Sequence, residues 1–177
     1  MPNLALSKST LCPHQAEKQR SGIALITIGN PLRKDDGVAS LVADGLSLDV
    51  KEELCRFDLE SYSQFLMDCI VYHQIAVIMD ATGERGKAGE VTILDLTALL
   101  DRKNNVEIKS CHGLSFMDEL KMARHENFLP DKVYFFGIEA ENTDWGKGLS
   151  IELETKKEEL TQQLEHFLKS IFIEAGL

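Results

Sequence analysis

The chain lacks the features that mark secreted and membrane-spanning proteins. Its 177 residues include four cysteines, four prolines and one tryptophan, and no two cysteines have the C-x-x-C spacing of a structural zinc site. No apolar run reaches the roughly 20 residues that a membrane span needs, and the first 22 residues lack the apolar core of a secretory signal. We therefore expect buried, reduced thiols and a cytoplasmic protein with no membrane attachment.

An excess of basic residues is also absent. Nineteen lysines and arginines stand against 29 aspartates and glutamates, which gives a formal net charge of −10. Because nucleic-acid binding needs a basic surface, we do not expect nucleic acid as the partner. The glycine spacings of dinucleotide and ATP sites, G-x-G-x-x-G and G-x-x-x-x-G-K-[ST], are missing too, so we expect no organic cofactor.

What the chain does have is an alternation of apolar, strand-length runs with amphipathic helical segments. Strands are predicted at 23–28, 54–59, 75–79, 90–95 and 133–138. Helical periodicity follows the first strand, at 36–48, and is clear again in the C-terminal segment. The alternation predicts a single three-layer α/β domain over residues 23–177, with about five mainly parallel strands and helices on both faces. Residues 1–22 are polar and irregular, and we interpret them as an N-terminal extension.

Two helix starts are predicted from capping boxes. Ser61 with Gln64 fits the first, and Thr155 with Glu158 fits the second. In such a box a hydroxyl and a side chain three residues later each accept a backbone N–H group of the first helical turn.

Three polar side chains follow or border predicted strands. Asp36 lies at the N-terminus of the predicted helix that follows strand 23–28. Asp80 directly follows the apolar run 75–79, and His112 lies in a Cys-His-Gly segment. Because an open α/β sheet binds ligands outside the carboxyl ends of its strands, we expect these side chains to converge at one edge. Carboxylate oxygen and imidazole nitrogen suit Zn²⁺, Ni²⁺, Mn²⁺ or Fe²⁺, and three protein ligands leave positions open for water or substrate.

Each of these residues also has a purely structural interpretation. Asp35 and Asp36 both fit the positive end of a helix dipole, which is worth about 0.3–1 kcal/mol. Asp80 fits the start of a turn in Asp-Ala-Thr-Gly. His112 fits a structural histidine, as the other four histidines of the chain do.

The segment Gly29–Gly37 reads G-N-P-L-R-K-D-D-G. It resembles the signature G-N-x-L-x-x-D-[DE]-G of the nickel–iron hydrogenase maturation endopeptidases. Asp80 at a strand end and His112 in Ser-Cys-His-Gly-Leu resemble the family's next marks in order and spacing. The resemblance covers roughly residues 23–172. It implies an aspartic-type endopeptidase that removes the C-terminal extension of a hydrogenase large-subunit precursor after nickel has been inserted.

The same resemblance implies roles for three residues. Asp36, Asp80 and His112 would be both the metal contacts and the catalytic residues. The nickel would be supplied by the substrate, so the protein need hold no permanent cofactor. Either Asp36 or Asp80 would act as the base. We expect the protein to act as a monomer on the large-subunit precursor.

The chain departs from the family pattern at two positions. Glu60 stands where a glycine is usual, in a loop associated with substrate selection, and Ala140 stands where a strand end usually has proline. Glycine adopts a positive φ more readily than glutamate does. Two alternatives stay open: a generic metal-dependent hydrolase with its own ion, and a non-catalytic protein that binds nickel or the large subunit.

Overall fold

Five strands form one sheet in the computed structural model, which describes residues 22–83, 86–101 and 115–176. The strands are β1 (Ile23–Ile28), β2 (Leu54–Glu60), β3 (Ile75–Gly83), β4 (Val91–Asp95) and β5 (Lys132–Ala140). Their order across the sheet is β2-β1-β3-β5-β4. Only β4 is antiparallel to its neighbour, so the predicted mainly parallel sheet is confirmed. The proposed N-terminal extension, apart from Gly22, lies outside the described residues.

Helices cover both faces of the sheet, as predicted. They are α1 (Val38–Asp44), α2 (Leu48–Glu52), α3 (Leu66–Ile70), α4 (Leu96–Asp101), α5 (Ser115–His125) and α6 (Ile151–Ala175). Two short 3₁₀ turns, Lys34–Gly37 and Ser63–Phe65, precede α1 and α3. α1 and α6 pack together on one face, and α3 and α5 pack together on the other.

The central strand β1 is buried along its whole length because helices cover both of its faces. Ile23 and Leu25 point to the core under α1 and α6, and Ile26 points to the opposite core under α3 and α5. On the first side, α6 adds an apolar stripe at helical spacing. Its members are Leu153, Leu160, Leu164, Leu168 and Ile171. On the second side, Phe116 stacks on Phe135 with ring centroids 5.6 Å apart.

Both predicted capping boxes are wrong. α3 begins at Leu66, and Phe65 at its N-cap has no polar side-chain atom. α6 begins at Ile151, where Ser150 Oγ accepts the Leu153 N–H at 3.4 Å. Thr155 instead lies inside the helix and donates its hydroxyl to the Ile151 carbonyl. The S/T-x-x-E/Q pattern also occurs within helices, so the pattern alone does not locate a helix start.

Two element boundaries differ from the prediction in ways that affect the site. The predicted helix 36–48 is divided into the 3₁₀ turn Lys34–Gly37, α1 and the separate helix α2. β3 does not end before Asp80 but continues to Gly83, because β5 supplies pairing partners as far as Ala140. Asp80 therefore lies within a strand and does not close it.

The cysteines differ in state. Cys55 is disulfide-bonded, so the expectation of reduced thiols is wrong for this residue. Spacing did not reveal the bond because pairing depends on the tertiary fold. Cys69 is a buried free thiol, and burial, with the nearby Asp68 carboxylate, raises its pKa to about 12. Cys12 and Cys111 lie outside the described residues. Among the helices that the structure describes, none is long and apolar enough to cross a membrane.

Candidate active site

Asp36 and Asp80 lie where the strand order of the sheet reverses. From β1 the chain passes to β2 on one side, and later to β3 on the other. Asp80 is one residue beyond the Thr27–Met79 pair, so it lies level with the end of β1. The 3₁₀ turn that carries Asp36 packs against β3, which carries Asp80. Both side chains are fully buried, at the strand-order reversal, which is where open α/β sheets bind ligands.

Two glycines allow the turn after β1 to fold back on itself. Gly29 has a φ of +144°, and a Cβ there would lie 1.9 Å from the carbonyl oxygen of Asp36. A Cβ on Gly37 would lie 2.9 Å from the Cα of Pro31. No side chain fits either space. Gly29 and Gly37 are therefore required because two stretches of backbone pass close to each other at these positions. Gly29, at the start of the turn, is therefore in direct contact with the backbone of Asp36.

The Asp36 side chain is oriented by hydrogen bonds within this turn. Its Oδ2 accepts the Asn30 N–H at 2.9 Å, and its own N–H donates to the Arg33 carbonyl at 3.0 Å. The Asn30 side chain accepts the Leu32 N–H at 2.9 Å and so fixes the next bend. The turn thus holds one carboxylate oxygen of Asp36 in a defined position beside β3.

The neighbouring Asp35 has a different set of partners. Its Oδ2 accepts the N–H groups of Glu141 at 3.0 Å and Asn142 at 2.8 Å, and its Oδ1 accepts the N–H of Ser150 at 2.6 Å. All three donors come from the segment between β5 and α6. Asp35 therefore joins this segment to the turn that carries Asp36, and its carboxylate is occupied by backbone amides. This arrangement favours Asp36 over Asp35 as the residue that acts on a ligand.

Glu139 is a further buried carboxylate that the sequence argument did not select. It lies near the carboxyl end of β5 with 8% of its surface exposed. Its Oε2 accepts the Thr82 hydroxyl at 2.8 Å, and its Oε1 accepts the Gly86 N–H at 3.0 Å. An open cleft of about 710 Å³ adjoins it, lined by residues 83, 86–88, 139–144 and 152. The signal was available, because Glu139 follows an apolar run just as Asp80 does.

The predicted third ligand, His112, lies outside the described residues. Within residues 22–83, 86–101 and 115–176, no group of three or more His, Cys, Asp or Glu side chains is placed to hold a metal ion. The structure thus places Asp36 on a turn that packs against β3, the strand that carries Asp80, and the three-residue site stays a prediction. Two other histidines are interpreted as structural. His73 is buried, with its ring edge-on to that of Phe57 and 5.7 Å between the ring centroids, and His125 is largely exposed.

Comparison of the structure with solved structures identifies the fold. HybD, a hydrogenase maturating endopeptidase from E. coli, matches with a TM-score of 0.66 and 20% identity, over 84% of this chain and 93% of that chain. The [NiFe] hydrogenase maturation protease HybD from Thermococcus kodakarensis matches with a TM-score of 0.65 and 24% identity, over 83% and 99%. The chain has the fold of the hydrogenase maturation endopeptidases.

A third match extends the likeness to another archaeal lineage. A hydrogenase 2 maturation peptidase from a Thaumarchaeota archaeon has a TM-score of 0.60 and 21% identity, over 83% of this chain and 97% of that chain. No protein-family model matches the sequence, and no curated protein matches it. The α/β fold predicted from the alternation of strands and helices is confirmed by these structures.

Proposed function

We propose that this protein is an endopeptidase that removes the C-terminal extension of a nickel-loaded [NiFe] hydrogenase large-subunit precursor. The observation that carries the proposal is the pair of buried carboxylates, Asp36 and Asp80, at the strand-order reversal. The same fold is found in proteins named hydrogenase maturation endopeptidases. The Gly29–Gly37 segment, with its two required glycines, agrees with the signature that suggested this family.

Peptide hydrolysis needs a polarised carbonyl, a water molecule and a group that accepts the proton of the water. In the proposed reaction the nickel ion belongs to the substrate, and Asp36, Asp80 and His112 contact it. The ion polarises the scissile carbonyl or activates the water. Asp36 or Asp80 accepts the proton, and the new amine of the released peptide is protonated in turn. The protein itself then needs no resident metal or organic cofactor.

Burial gives the two carboxylates the properties that this role requires. A charge in a site of low dielectric interacts with a cation more strongly than an exposed charge does, because less water screens it. The Asn30 N–H at 2.9 Å fixes Asp36, so little reorganisation is needed when an ion arrives. Nickel accepts mixed oxygen and nitrogen ligands, which agrees with two carboxylates and an imidazole.

The proposed setting is a cytoplasmic monomer that acts as an aspartic-type endopeptidase. The free thiol of Cys69 agrees with a reducing compartment, whereas a disulfide at Cys55 is more usual in an oxidising one. Fractionation of cells and measurement of the mass in solution test these two points independently of activity.

The proposal is tested by replacing each site residue and assaying a cognate precursor. Asp36→Asn, Asp80→Asn and His112→Ala should each reduce the rate of tail removal by at least about 100-fold, as loss of an acid–base group does. The matched control is Asp95→Asn. Asp95 pairs with Tyr134 near the amino end of β5, so it lies at the opposite end of the parallel strands from Asp36 and Asp80. This variant should process the precursor at the wild-type rate.

Each contrary outcome points to a different conclusion. Normal processing by one of the three variants would remove that residue from the site. Hydrolysis of unrelated peptides by the wild type would indicate a general metal-dependent hydrolase. Stable binding of a cognate precursor without cleavage would indicate a binding protein.

A further inference from the structure

An exposed aromatic surface lies beside the candidate active site. Trp145 is the single tryptophan of the chain, and 75% of its surface is exposed. Leu32, from the turn that leads to Asp36, is 49% exposed. We call the residues Leu32, Arg33, Lys34, Trp145 and Lys147 the Trp145 surface. None of the residues proposed to contact the nickel ion belongs to this surface.

The two segments that form the Trp145 surface are bonded to each other. The Gly146 N–H donates to the Leu32 carbonyl at 2.8 Å, and the Lys34 N–H donates to the Gly146 carbonyl at 2.9 Å. Arg33 donates its Nε–H to the Thr143 carbonyl at 3.1 Å. The Arg33 guanidinium lies 5.8 Å from the centre of the Trp145 ring. The surface is therefore formed before any partner arrives, which lowers the ordering cost of binding.

The charge of the Trp145 surface differs from that of the chain. Three cations, Arg33, Lys34 and Lys147, are accompanied by two carboxylates, Asp144 and the exposed Glu141, which lines a cleft with Lys34 and Lys147, although the chain carries a net charge of −10. A partner that fits this surface offers an apolar recess for the Trp145 ring, bordered by carboxylates. Tryptophan and arginine are the residue types that most often dominate binding energy at protein interfaces.

We propose that the Trp145 surface is the docking site for the folded body of the large-subunit precursor. This inference rests on the proposed function and names a second contact with the same substrate. Arg33 and Lys34 directly precede Asp35 and Asp36, so a protein docked on them lies beside the turn that carries Asp36. Docking at this surface would place the C-terminal tail of the precursor at the site.

A second copy of this chain fits the surface less well than the precursor does. In a two-fold contact the same patch meets itself, so the three cations of one copy would face those of the other. Like charges brought together across an interface oppose association. A partner with carboxylates around an apolar recess has no such conflict.

The single tryptophan allows a direct test of docking. The full chain is labelled with 5-fluorotryptophan, so its fluorine spectrum reports on Trp145 alone even when the unlabelled partner contains tryptophan. We expect an exposed resonance, with a large H₂O-to-D₂O shift, that moves and loses this solvent shift when nickel-loaded precursor is added. A resonance unaffected by saturating precursor would overturn the inference.

Two other outcomes of the same experiment would also overturn it. A change of the resonance with protein concentration in the absence of precursor would show that a second copy covers the surface. A resonance that is protected from solvent at every concentration would show that another part of the same chain covers it.

Kinetics separate docking from chemistry. Trp145→Ala should raise KM for the precursor by about tenfold or more with kcat changed less than about twofold, because docking is lost and the reacting groups are not. Lys147→Glu should also raise KM, whereas Lys147→Arg, which keeps the positive charge, should have the wild-type KM. The matched control is Tyr72→Ala, an aromatic with 54% exposure next to the amino end of β3. It should leave both constants unchanged.

The failure of this inference is distinguishable from failure of the proposed function. If the wild type cleaves the precursor and Trp145→Ala has the same KM, the docking site is wrong and the endopeptidase stands. If the wild type fails to cleave but the fluorine resonance shifts on addition of precursor, the docking site stands and the endopeptidase is wrong. Circular dichroism confirms that each variant is folded.

Discussion

Two adjacent carboxylates in one turn have different surroundings. Asp35 and Asp36 are both fully buried, but Asp35 accepts three backbone N–H groups from the segment 141–150. Asp36 accepts the N–H of Asn30, six residues away, and faces the strand that carries Asp80. Asp35 joins two segments of the chain, and Asp36 lies on the turn that packs against β3.

The variants Asp35→Asn and Asp36→Asn should therefore fail in different ways. In Asp35→Asn an NH₂ group replaces an oxygen that accepts backbone N–H groups, so we expect a loss of about 1–3 kcal/mol in the free energy of unfolding. The molecules that remain folded should retain most of their activity. Asp36→Asn should lose processing with a smaller change in stability. Urea unfolding, together with cleavage rates at equal folded concentration, measures both. An Asp35→Asn variant as stable as the wild type would contradict this account.

At the residue scale, the sequence selected Asp36 and Asp80 as candidates but did not show what distinguishes Asp36 from Asp35. The motif position favoured Asp36, whereas the reason lies in donors more than 100 residues away along the chain. Glu139 shows the opposite case. Its position after an apolar run was visible, but its hydrogen bonds to Thr82 and Gly86 arise from sheet pairing and loop closure.

At the scale of elements, the end of β2 contains a strained position. Glu60 has a φ of +48°, and it pairs with Ile28 after a register shift that leaves Leu59 without a pair in β1. The Gly29 N–H donates to the Glu60 carbonyl at 2.8 Å, so this strained residue supports the turn that leads to Asp36. The expectation that a glycine would fit this position better agrees with the observed φ.

Glu60→Gly should stabilise the protein. The left-handed conformation destabilises a residue with a Cβ by about 1–2 kcal/mol, and glycine removes this strain. About 0.5–1 kcal/mol of the gain is lost because glycine has more conformational freedom in the unfolded chain. We expect a net gain of up to about 1.5 kcal/mol in the free energy of unfolding measured in urea. The control is Glu53→Gly, where φ is −86° and glycine should only destabilise. Equal losses in both variants would contradict the assignment of strain to Glu60.

The junction of β4 and β5 gives a prediction about pH. Burial alone would raise the pKa of Asp95, but hydrogen bonds from Lys132, Thr97 and the Ala98 N–H outweigh it and lower the pKa to about 2 from 3.8. The Lys132 Nζ lies 2.8 Å from Asp95 Oδ2. Because the folded-state pKa is depressed, the contribution of Asp95 to stability is present above about pH 4 and is lost as the pH falls towards 2.

Thermal unfolding from pH 5 to pH 2 tests this dependence. The wild type should be more stable than Asp95→Asn at pH 5, and the difference in Tm should shrink as the pH falls. A Lys132→Gln variant should show a smaller pH-dependent difference, because the strongest donor to Asp95 is gone. A difference between wild type and Asp95→Asn that is the same at pH 5 and pH 2 would contradict the assignment.

The strands could be predicted from the sequence, but the starts of α3 and α6 could not. Apolar runs such as 23–28 and 75–79 located their strands because a sheet covered on both faces needs continuous apolar residues. Helix starts depend on tertiary contacts. α6 begins where the Ser150 N–H is held by Asp35, so a local capping pattern at Thr155 was misleading.

At the scale of the whole molecule, the topology creates the site. The reversal of strand order between β1 and β3 brings together residues that are 44 positions apart, Asp36 and Asp80. The rule that ligands bind outside the carboxyl ends of the strands led to the expectation that these side chains converge, whereas the strand order itself was not predicted. The docking of the segment after β5 onto the turn after β1 was not predictable, because no local pattern encodes it.

We propose that the protein removes the tail of a precursor only when nickel is present in that precursor. The most direct measurement incubates the purified protein with a cognate large-subunit precursor in its nickel-loaded and nickel-free forms, and determines the C-terminus of each by mass spectrometry. The account predicts a single defined loss of the tail from the loaded form alone. An intact tail on the loaded precursor, or equal cleavage of both forms, would contradict it.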